Sequence, residues 1–367
     1  MNLRIPGPIP VPEDILATMA TPMMNHRGPQ FKELLYRVTD GVKQVFDTKN
    51  DLYILTSSGT SAMEAAIVNT LSPGDKVLNV SIGSFGDRFG QIAKIYGAEV
   101  TELSFPWGKA VDIDALRDAL KADQDIGTVM VTHNETSTGV TNDLEAIASV
   151  VKGEFDKLLL VDGISSVCSI PLRTDAWGCD VVATASQKGW MLPPGLAFIS
   201  FSERAWEAHA SAKMPKFYLD LAQYRSYFEK GQPPYTPAIS IYYALDMAIA
   251  QLQEEGIDDL FARHARIAGM TRKGIKDLGL SLFPDERYAS DTVTAVSIPE
   301  GVVSSDLLRI VREDHKVVLG GGQGPVDGKI FRIGHMGKTT ADDIRGVLDA
   351  LAASLPKVGF TPAAAAR

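Results

Sequence analysis

Lys188 stands in the segment TASQKG (184–189), directly after a short apolar run. Lysines usually lie on solvated surfaces, and one more surface lysine is the simpler interpretation of this residue. An amine that attacks a carbonyl must be partly desolvated, because burial lowers its pKa and leaves it neutral. A lysine in a polar loop after a buried strand meets this condition, so Lys188 is a candidate for imine chemistry.

Asp162 ends the wholly apolar run Leu158–Val161. A carboxylate in this position either caps a loop or serves as a functional acid, and the residue types leave both interpretations open. Active sites of open parallel sheets lie at the carboxyl ends of the strands. Because the Asp162 strand precedes the Lys188 strand, both side chains are expected to face one pocket.

Three more polar groups follow or interrupt apolar runs. SSGTS (57–61) is either an ordinary helix N-cap or an anion site made of backbone N–H groups and the helix dipole. THNETSTG (132–139) is a plain loop or a source of side chains for a bound ring substituent. Arg332, inside the apolar segment FRIG (331–334), needs either a buried ion-pair partner or a substrate carboxylate.

These polar groups need a scaffold of alternating strands and helices. The apolar runs predict an α/β fold whose large domain has a mostly parallel seven-stranded sheet flanked by helices. The expected strands are Leu52–Leu55, Lys76–Ser81, Val100–Leu103, Thr128–Thr132, Leu158–Val161, Val181–Ala185 and Ala197–Phe201. The expected helices between them are Ser61–Leu71, Arg88–Tyr96, Asp112–Lys121 and Leu144–Val151.

The pattern changes beyond residue 237. Two long helices, Ile241–Glu255 and Ile257–Leu278, lead into a smaller C-terminal α+β domain. The prolines among the first dozen residues predict an extended arm. We therefore divide the chain into an N-terminal arm (1–20), a large domain (21–255) and a small domain (256–367).

Charge and cysteine content argue against several classes of function. The net charge of -9 disfavours binding to nucleic acid or an anionic membrane, since both need basic patches. The two cysteines, Cys168 and Cys179, form no CxxC or Cys/His cluster, so we expect neither a disulfide framework nor a metal site. The sequence contains no signal-peptide-like segment and no run long enough to span a membrane, which predicts a cytoplasmic protein.

Several segments, taken together, resemble class V aminotransferases of PLP fold type I, especially the alanine–glyoxylate / serine–pyruvate branch. The combination of SQK with PPG, preceded by VD, is the most specific part of the resemblance. The segments cover nearly the whole chain in the family's order: SSGTSAMEAA, PGDKVL, THNETSTGV, LLLVDGISS, SQKGWMLPPGLAFISFS, PYTPAISIYYAL, GGGQGP and FRIGHMG.

The resemblance implies a role for each matching residue. Lys188 is expected to hold pyridoxal 5′-phosphate as a Schiff base and to shuttle the substrate proton, and Asp162 to pair with the pyridine nitrogen. Further cofactor-binding residues are expected to be Ser58, Gly59, Thr60, Phe85, Thr136, Ile164, Gln187 and Thr236. Thr236 is expected to reach the cofactor phosphate of the neighbouring subunit, which implies a homodimer with shared active sites. Substrate binding is expected from Gly7, Arg332 and Arg27.

Two positions depart from the family pattern. Phe85 stands where this branch often has a stacking tryptophan, and Thr60 replaces a histidine often found in the phosphate loop. The pair His26-Arg27 is similar to one that phosphoserine aminotransferases use for the substrate phosphate. Arg27 is therefore expected to favour an acidic substrate, aspartate or phosphoserine, if it faces the site at all.

The predicted function is transfer of an amino group from alanine or serine to glyoxylate or pyruvate by a ping-pong mechanism. The alternatives are an aspartate or phosphoserine aminotransferase of the same class, or a non-catalytic accessory subunit that keeps the fold. Cysteine desulfurase chemistry is disfavoured, because the glycine-rich loop 320–324 contains no cysteine.

Overall fold

A computed structural model of the protein describes residues 1–361, and residues 362–367 of the predicted small domain lie outside this description. The strands are, in chain order, β1 (Asn2–Arg4), β2 (Asp51–Ser57), β3 (Lys76–Ser81), β4 (Glu99–Ser104), β5 (Thr128–Thr132), β6 (Asn134–Glu135), β7 (Val140–Thr141), β8 (Leu158–Asp162), β9 (Val181–Ala185), β10 (Gly195–Phe201), β11 (Val293–Ser297), β12 (Val317–Gly321) and β13 (Ile330–Gly334).

The helices surround these strands. They are α1 (Glu13–Thr18), α2 (Pro29–Phe46), α3 (Gly59–Thr70), α4 (Ser84–Ile95), α5 (Ile113–Ala122), α6 (Leu144–Ala148), α7 (Glu203–Ser211), α8 (Leu221–Phe228), α9 (Ile239–Glu255), α10 (Ile257–Asp277), α11 (Ser304–His315) and α12 (Ala341–Ser354). Helix α2 was not predicted from the sequence. No helix within residues 1–361 is both long enough and apolar enough to cross a bilayer.

Seven strands form the large sheet in the order β2-β10-β9-β8-β5-β3-β4. Strand β10 runs antiparallel to β2 and β9, and the other neighbouring strands are parallel. The predicted fold class, with its mostly parallel seven-stranded sheet, is confirmed. In the register of the sheet, Asp162 pairs with Thr132 of β5 and Ala183 of β9, so these strand ends meet at one edge.

Both faces of the large sheet are buried. In β8, Leu159 and Val161 join the apolar core on one face, and Leu158 and Leu160 join the core on the other. Apolar residues at every position of a strand are typical of parallel sheets that are covered on both sides. This packing explains the uninterrupted apolar run that precedes Asp162.

A second, four-stranded sheet has the order β1-β12-β13-β11. Its apolar face packs against α10, α11 and α12 in a separate core. This unit is the predicted smaller α+β domain, with one strand added from the N-terminus. The boundaries at residues 20 and 255 remain a prediction.

The N-terminal arm is tied to the small domain before it reaches the large one. Strand β1 pairs in parallel with β12. The buried guanidinium of Arg4 lies 2.9 Å from the carboxylate of Asp343 and donates a hydrogen bond to the hydroxyl of Thr339. These contacts fix the direction in which the next residues, Ile5–Ile9, leave the small sheet.

Candidate active site

Lys188 lies just beyond the carboxyl end of β9 and is 9% exposed. Its Nζ donates a 2.6 Å hydrogen bond to the carbonyl oxygen of Pro6 in the N-terminal arm. Burial lowers the pKa of Lys188 to about 8, although the negative charge of Asp162 opposes this change. An amine with this pKa has a much larger neutral fraction near physiological pH than an ordinary lysine, as nucleophilic chemistry requires.

The arm approaches Lys188 so closely that a side chain at Gly7 would not fit. A Cβ atom at this position would lie 2.7 Å from Nζ, and the φ of +138° is one that other residues rarely adopt. The backbone N–H of Ile9 also donates to the carbonyl oxygen of Gln187, at 3.3 Å. Gly7 therefore lies against the lysine.

Asp162 is held at the end of β8 by two hydrogen bonds. One carboxylate oxygen accepts from the backbone N–H of Ile164 at 2.9 Å, and the other accepts from the hydroxyl of Thr132 at 3.3 Å. Burial raises the pKa of Asp162 to about 7, while the positive charge of Lys188 acts in the opposite direction. A buried carboxylate of this kind gains stability from a cationic partner, such as a protonated ring nitrogen.

The start of α3 brings the predicted phosphate loop to the same edge of the sheet. A Cβ atom at Gly59 would lie 2.7 Å from Cδ1 of Ile164 and 3.2 Å from the side chain of Ala185 at the end of β9. Ser58 is the N-cap residue, but its side chain makes no capping hydrogen bond. The simple capping interpretation is therefore incomplete, because N–H groups of the first helical turn have no side-chain partner.

Gln187 directly precedes Lys188 in the chain. Within residues 1–361, its side-chain Oε1 is buried and has no hydrogen-bond partner. A buried oxygen without a donor is costly, and the NH₂ group of Gln187, not this oxygen, is the part that can donate to a phosphate. The exposure of Thr60 is intermediate, and its hydroxyl lies 3.5 Å from the guanidinium of Arg88.

Arg332 projects from β13 of the small domain and is 6% exposed. Its Nε donates to the carbonyl oxygen of Gly321 at 2.8 Å, and Nη1 donates to that of Thr136 at 3.0 Å. Burial lowers the pKa of Arg332, and the negative charge of Glu135 counteracts this. Arg332 forms no salt bridge within the described residues, so its remaining N–H groups are free to bind a carboxylate.

The side chain of Glu135 connects Phe85 to the segment that contains Thr136. The backbone N–H of Phe85 donates to the carboxylate of Glu135 at 2.9 Å, and Thr136 is the next residue in the chain. The guanidinium of Arg88 lies 5.0 Å from the centre of the Phe85 ring. The sequence did not predict a role for Pro6, Glu135 or Arg88, although THNETSTG contains Glu135.

Two predicted residues lie apart from this group. Thr236 is exposed, and no hydrogen bond joins it to the other predicted site residues in the part of the chain that the structure describes. Arg27 is also exposed, where it donates to Gln232 at 2.9 Å and lies 5.5 Å from the ring centre of Tyr227. Within one chain, neither residue completes the pocket around Lys188.

Comparisons with known proteins agree with this geometry. A family model described as aminotransferase class-V matches residues 14–341. The chain is 42% identical over 361 residues to a protein from Synechococcus sp. named soluble hydrogenase, small subunit, covering 98% of this chain and 94% of that protein. It is 39% identical to L-aspartate–glyoxylate aminotransferase of Paracoccus denitrificans, covering 92% of this chain and 86% of that protein.

The fold is similar to that of an alanine–glyoxylate aminotransferase from Nostoc sp. The TM-score is 0.93 at 33% sequence identity, and the match covers 96% of this chain and 94% of the other. The similarity therefore extends through the large sheet, the small domain and the connecting helices.

We expect methylation of Lys188 in the cofactor-free protein to be half-maximal near pH 8, because burial shifts this amine towards its neutral, reactive form. Formaldehyde with cyanoborohydride supplies the label, and peptide mass spectrometry measures the rate at Lys188 alone. In Asp162→Asn the midpoint should move to lower pH, since a charge that raises the Lys188 pKa is lost. A midpoint near the ordinary lysine value of about 10.4 in both proteins would contradict a buried amine.

Proposed function

The chain belongs to the class-V aminotransferase family, and from this premise we propose that it transfers the amino group of alanine or serine to glyoxylate or pyruvate. The protein is a pyridoxal-phosphate-dependent transaminase of small amino acids and 2-oxo acids. The observation that carries the finer proposal is the buried Lys188 amine with Asp162 and Arg332 around it.

The described residues fit pyridoxal phosphate. The backbone N–H groups in the first turn of α3, which begins at Gly59, are donors that suit a phosphate. Asp162 supplies a buried carboxylate for the pyridine nitrogen. Lys188 supplies an amine whose lowered pKa suits bonding to an aldehyde.

When bound, the cofactor withdraws electron density from the Cα of the substrate. The remaining steps belong to the protein. The free amine of Lys188 would take the Cα proton of the bound amino acid and hold it at Nζ until the proton is delivered to the cofactor carbon that keeps the amino group. The carbonyl of Pro6, which accepts a hydrogen bond from Nζ, gives the free amine a fixed place during this transfer. Asp162 would pair with the ring nitrogen and favour its protonated form.

Arg332 has the chemistry of a substrate-carboxylate site. A guanidinium presents two parallel N–H groups to a carboxylate, and two backbone carbonyls fix its orientation. A Cβ atom at Gly320 would lie 3.0 Å from Pro6 and 3.7 Å from Arg332, so Pro6, which contacts Lys188, also lies near the backbone beside this arginine. These contacts support a pocket in which the α-carboxylate binds Arg332 while Cα faces Lys188.

Aspartate is the second candidate donor. The relative from Paracoccus denitrificans is named for aspartate and glyoxylate. Arg27 contacts Gln232, a residue close in sequence to Thr236, so it belongs to the surface that a dimer would place at the other subunit's site. Phosphoserine as the donor remains a prediction from the His26-Arg27 pair. The accessory-subunit alternative is disfavoured, since Lys188 and Asp162 are both present.

We also propose a homodimer with shared active sites. Phe217 is 79% exposed and Tyr218 is 38% exposed, and Tyr218 stacks on Tyr235 with ring centres 4.8 Å apart. This aromatic group adjoins Thr236, and exposed apolar patches often mark protein interfaces. The acidic charge and the two buried free cysteines support a cytoplasmic location.

We expect two separable half-reactions in an absorption experiment. Alanine or serine should remove the near-visible band of the cofactor bound to the purified protein, and glyoxylate or pyruvate should restore it. Aspartate and phosphoserine are titrated in parallel, and the donor that acts at the lowest concentration ranks first. The matched control Lys188→Ala should bind the cofactor without turning over. Normal turnover by that variant, or a band that no donor changes, would overturn the proposal.

Substitution of the two arginines should separate the donors. Arg332→Ala should raise KM by about 10- to 150-fold for every amino acid, because it removes a charge-assisted hydrogen-bonded pair. Arg27→Met should raise KM for aspartate alone and leave that for alanine unchanged. Steady-state kinetics with both donors measure this difference. An unchanged KM in Arg332→Ala would mean that Arg332 only braces the two loops whose carbonyls it contacts.

Sedimentation equilibrium should give twice the chain mass of 39.6 kDa at micromolar concentration. Thr236→Ala should weaken cofactor binding without changing the mass, because the hydroxyl reaches the phosphate only after assembly. A monomer with full activity would contradict the shared site.

A further inference from the structure

Glu135 is a fully buried acid at the end of β6. Its Oε2 accepts hydrogen bonds from the backbone N–H groups of Phe85 and Gly86, at 2.9 and 3.1 Å. Its Oε1 accepts from the N–H and the hydroxyl of Ser137, at 3.0 and 2.7 Å. A proton on either oxygen would face an N–H donor, so this geometry accommodates the carboxylate form.

The four donors come from the first turn of α4 and from the segment after β6, and both regions contain predicted site residues. Phe85 and Gly86 belong to the first turn of α4, and the N–H of Ser84 donates to the hydroxyl of Ser137 at 3.0 Å. A Cβ atom at Gly83 would lie 2.6 Å from Cγ of Glu135, so the backbone just before α4 packs directly against the Glu135 side chain. Glu135 therefore determines where the backbone of Phe85 lies relative to the loop that contains Thr136.

The same loop also orients Arg332. The carbonyl oxygen of Thr136, the residue that follows Glu135, accepts the 3.0 Å hydrogen bond from Nη1 of Arg332. A shift of the Glu135 backbone would thus move a contact of the substrate-carboxylate site as well as the aromatic ring. One side chain connects the ring-stacking and the carboxylate-binding parts of the pocket.

Glu135 forms no salt bridge with any residue from 1 to 361. A buried carboxylate without a cation in contact is expensive, and hydrogen bonds alone must offset its desolvation. Its charge favours the charged forms of both Lys188 and Arg332. Burial raises the pKa of Glu135, and the hydrogen bonds from Ser137, Gly86 and Phe85 act in the opposite direction, towards the carboxylate.

We infer that Glu135 is a positioning residue for transamination. Its carboxylate holds the backbone of Phe85 and the carbonyl of Thr136 in one rigid unit. The spacing between the cofactor ring and the substrate carboxylate on Arg332 is then fixed before either ligand binds. This inference rests on the proposed roles of Phe85, Thr136 and Arg332.

The test is Glu135→Gln, in which one oxygen becomes an NH₂ group that faces N–H donors. Amide hydrogen exchange of the cofactor-free protein should show faster exchange at Phe85, Gly86 and Ser137. In the cofactor-loaded protein, the dissociation constant of pyridoxal phosphate and the donor KM should each rise about tenfold, equivalent to about 1.4 kcal/mol each. The visible circular dichroism band of the cofactor should change as the stacking ring moves.

Asp180→Asn is the matched control. Asp180 is also a buried carboxylate, which accepts hydrogen bonds from Lys152 at 2.6 Å and from the N–H of Leu159 at 2.8 Å. It precedes β9, at the edge of the sheet opposite Lys188. The control should lower stability without changing exchange at Phe85 or the cofactor band.

Ser137→Ala decides the question if Glu135→Gln does not fold. It removes one of the four donors, so exchange at Phe85 and the cofactor dissociation constant should rise by a smaller factor, about threefold. Unchanged exchange in a folded Glu135→Gln protein would overturn the inference, even if the cofactor bound more weakly, because charge alone would then explain the loss. A wild-type protein that forms no cofactor band would defeat the proposed function, whereas exchange in the cofactor-free protein would still test Glu135.

Discussion

The covering of the large sheet on both faces determines where polar side chains can lie in this protein. Strands β5, β8 and β9 have apolar cores above and below them, so a charge within these strands would be buried without water. The one charged residue in these three strands, Asp162, lies at the carboxyl edge of the sheet, and the buried polar residue Thr184 within β9 is uncharged. Asp162, Lys188 and the loop that contains Glu135 all occupy that one edge, and the small domain closes over them with Arg332. The chemistry is concentrated there because the rest of the sheet excludes it.

The pocket balances its charges before any ligand arrives. Lys188 and Arg332 contribute positive charge, and Asp162 and Glu135 contribute negative charge. The two acids differ in their partners: Asp162 accepts two hydrogen bonds, and Glu135 accepts four. Fewer donors leave Asp162 more dependent on a cation for stabilisation, whereas Glu135 is satisfied within the protein. Glu135, whose hydrogen bonds all come from the protein, suits a structural role, and Asp162 suits the binding of a cationic ligand group.

The sequence predicted the features that depend on residue type and strand order. Lys188 and Asp162 followed from the rule that parallel strands end at one edge, and the sheet with its seven strands followed from the apolar runs. The antiparallel direction of β10 could also have been inferred from the sequence. The segment between β9 and β10 contains no helix in the structure and is short, whereas parallel neighbours need a long crossover. Helix α2 was missed, although Phe31, Leu34, Leu35, Val38 and Val42 have helical spacing on a buried face.

The rest of the site depends on contacts that residue types do not encode. The contact of Pro6 with Lys188 is made by a backbone carbonyl, which any residue could supply, and its position depends on where β1 pairs. Glu135 binds backbone N–H groups from another loop, 50 residues away in the chain for Phe85. The roles of Phe85, Thr60 and Thr236 came only from family resemblance, and the role of Thr236 needs a second chain.

The pairing of β1 with β12 has a consequence for the order in which a newly made chain matures. The hydrogen bond from Arg4 to Thr339 joins residues 335 positions apart. Segments that emerge first from the ribosome generally fold first, yet this arm has no partner strand until the small domain has been synthesised. The large domain can therefore assemble around Lys188 while the lysine is still open to solvent. The contact between Pro6 and the amine therefore forms only after the small domain has been synthesised.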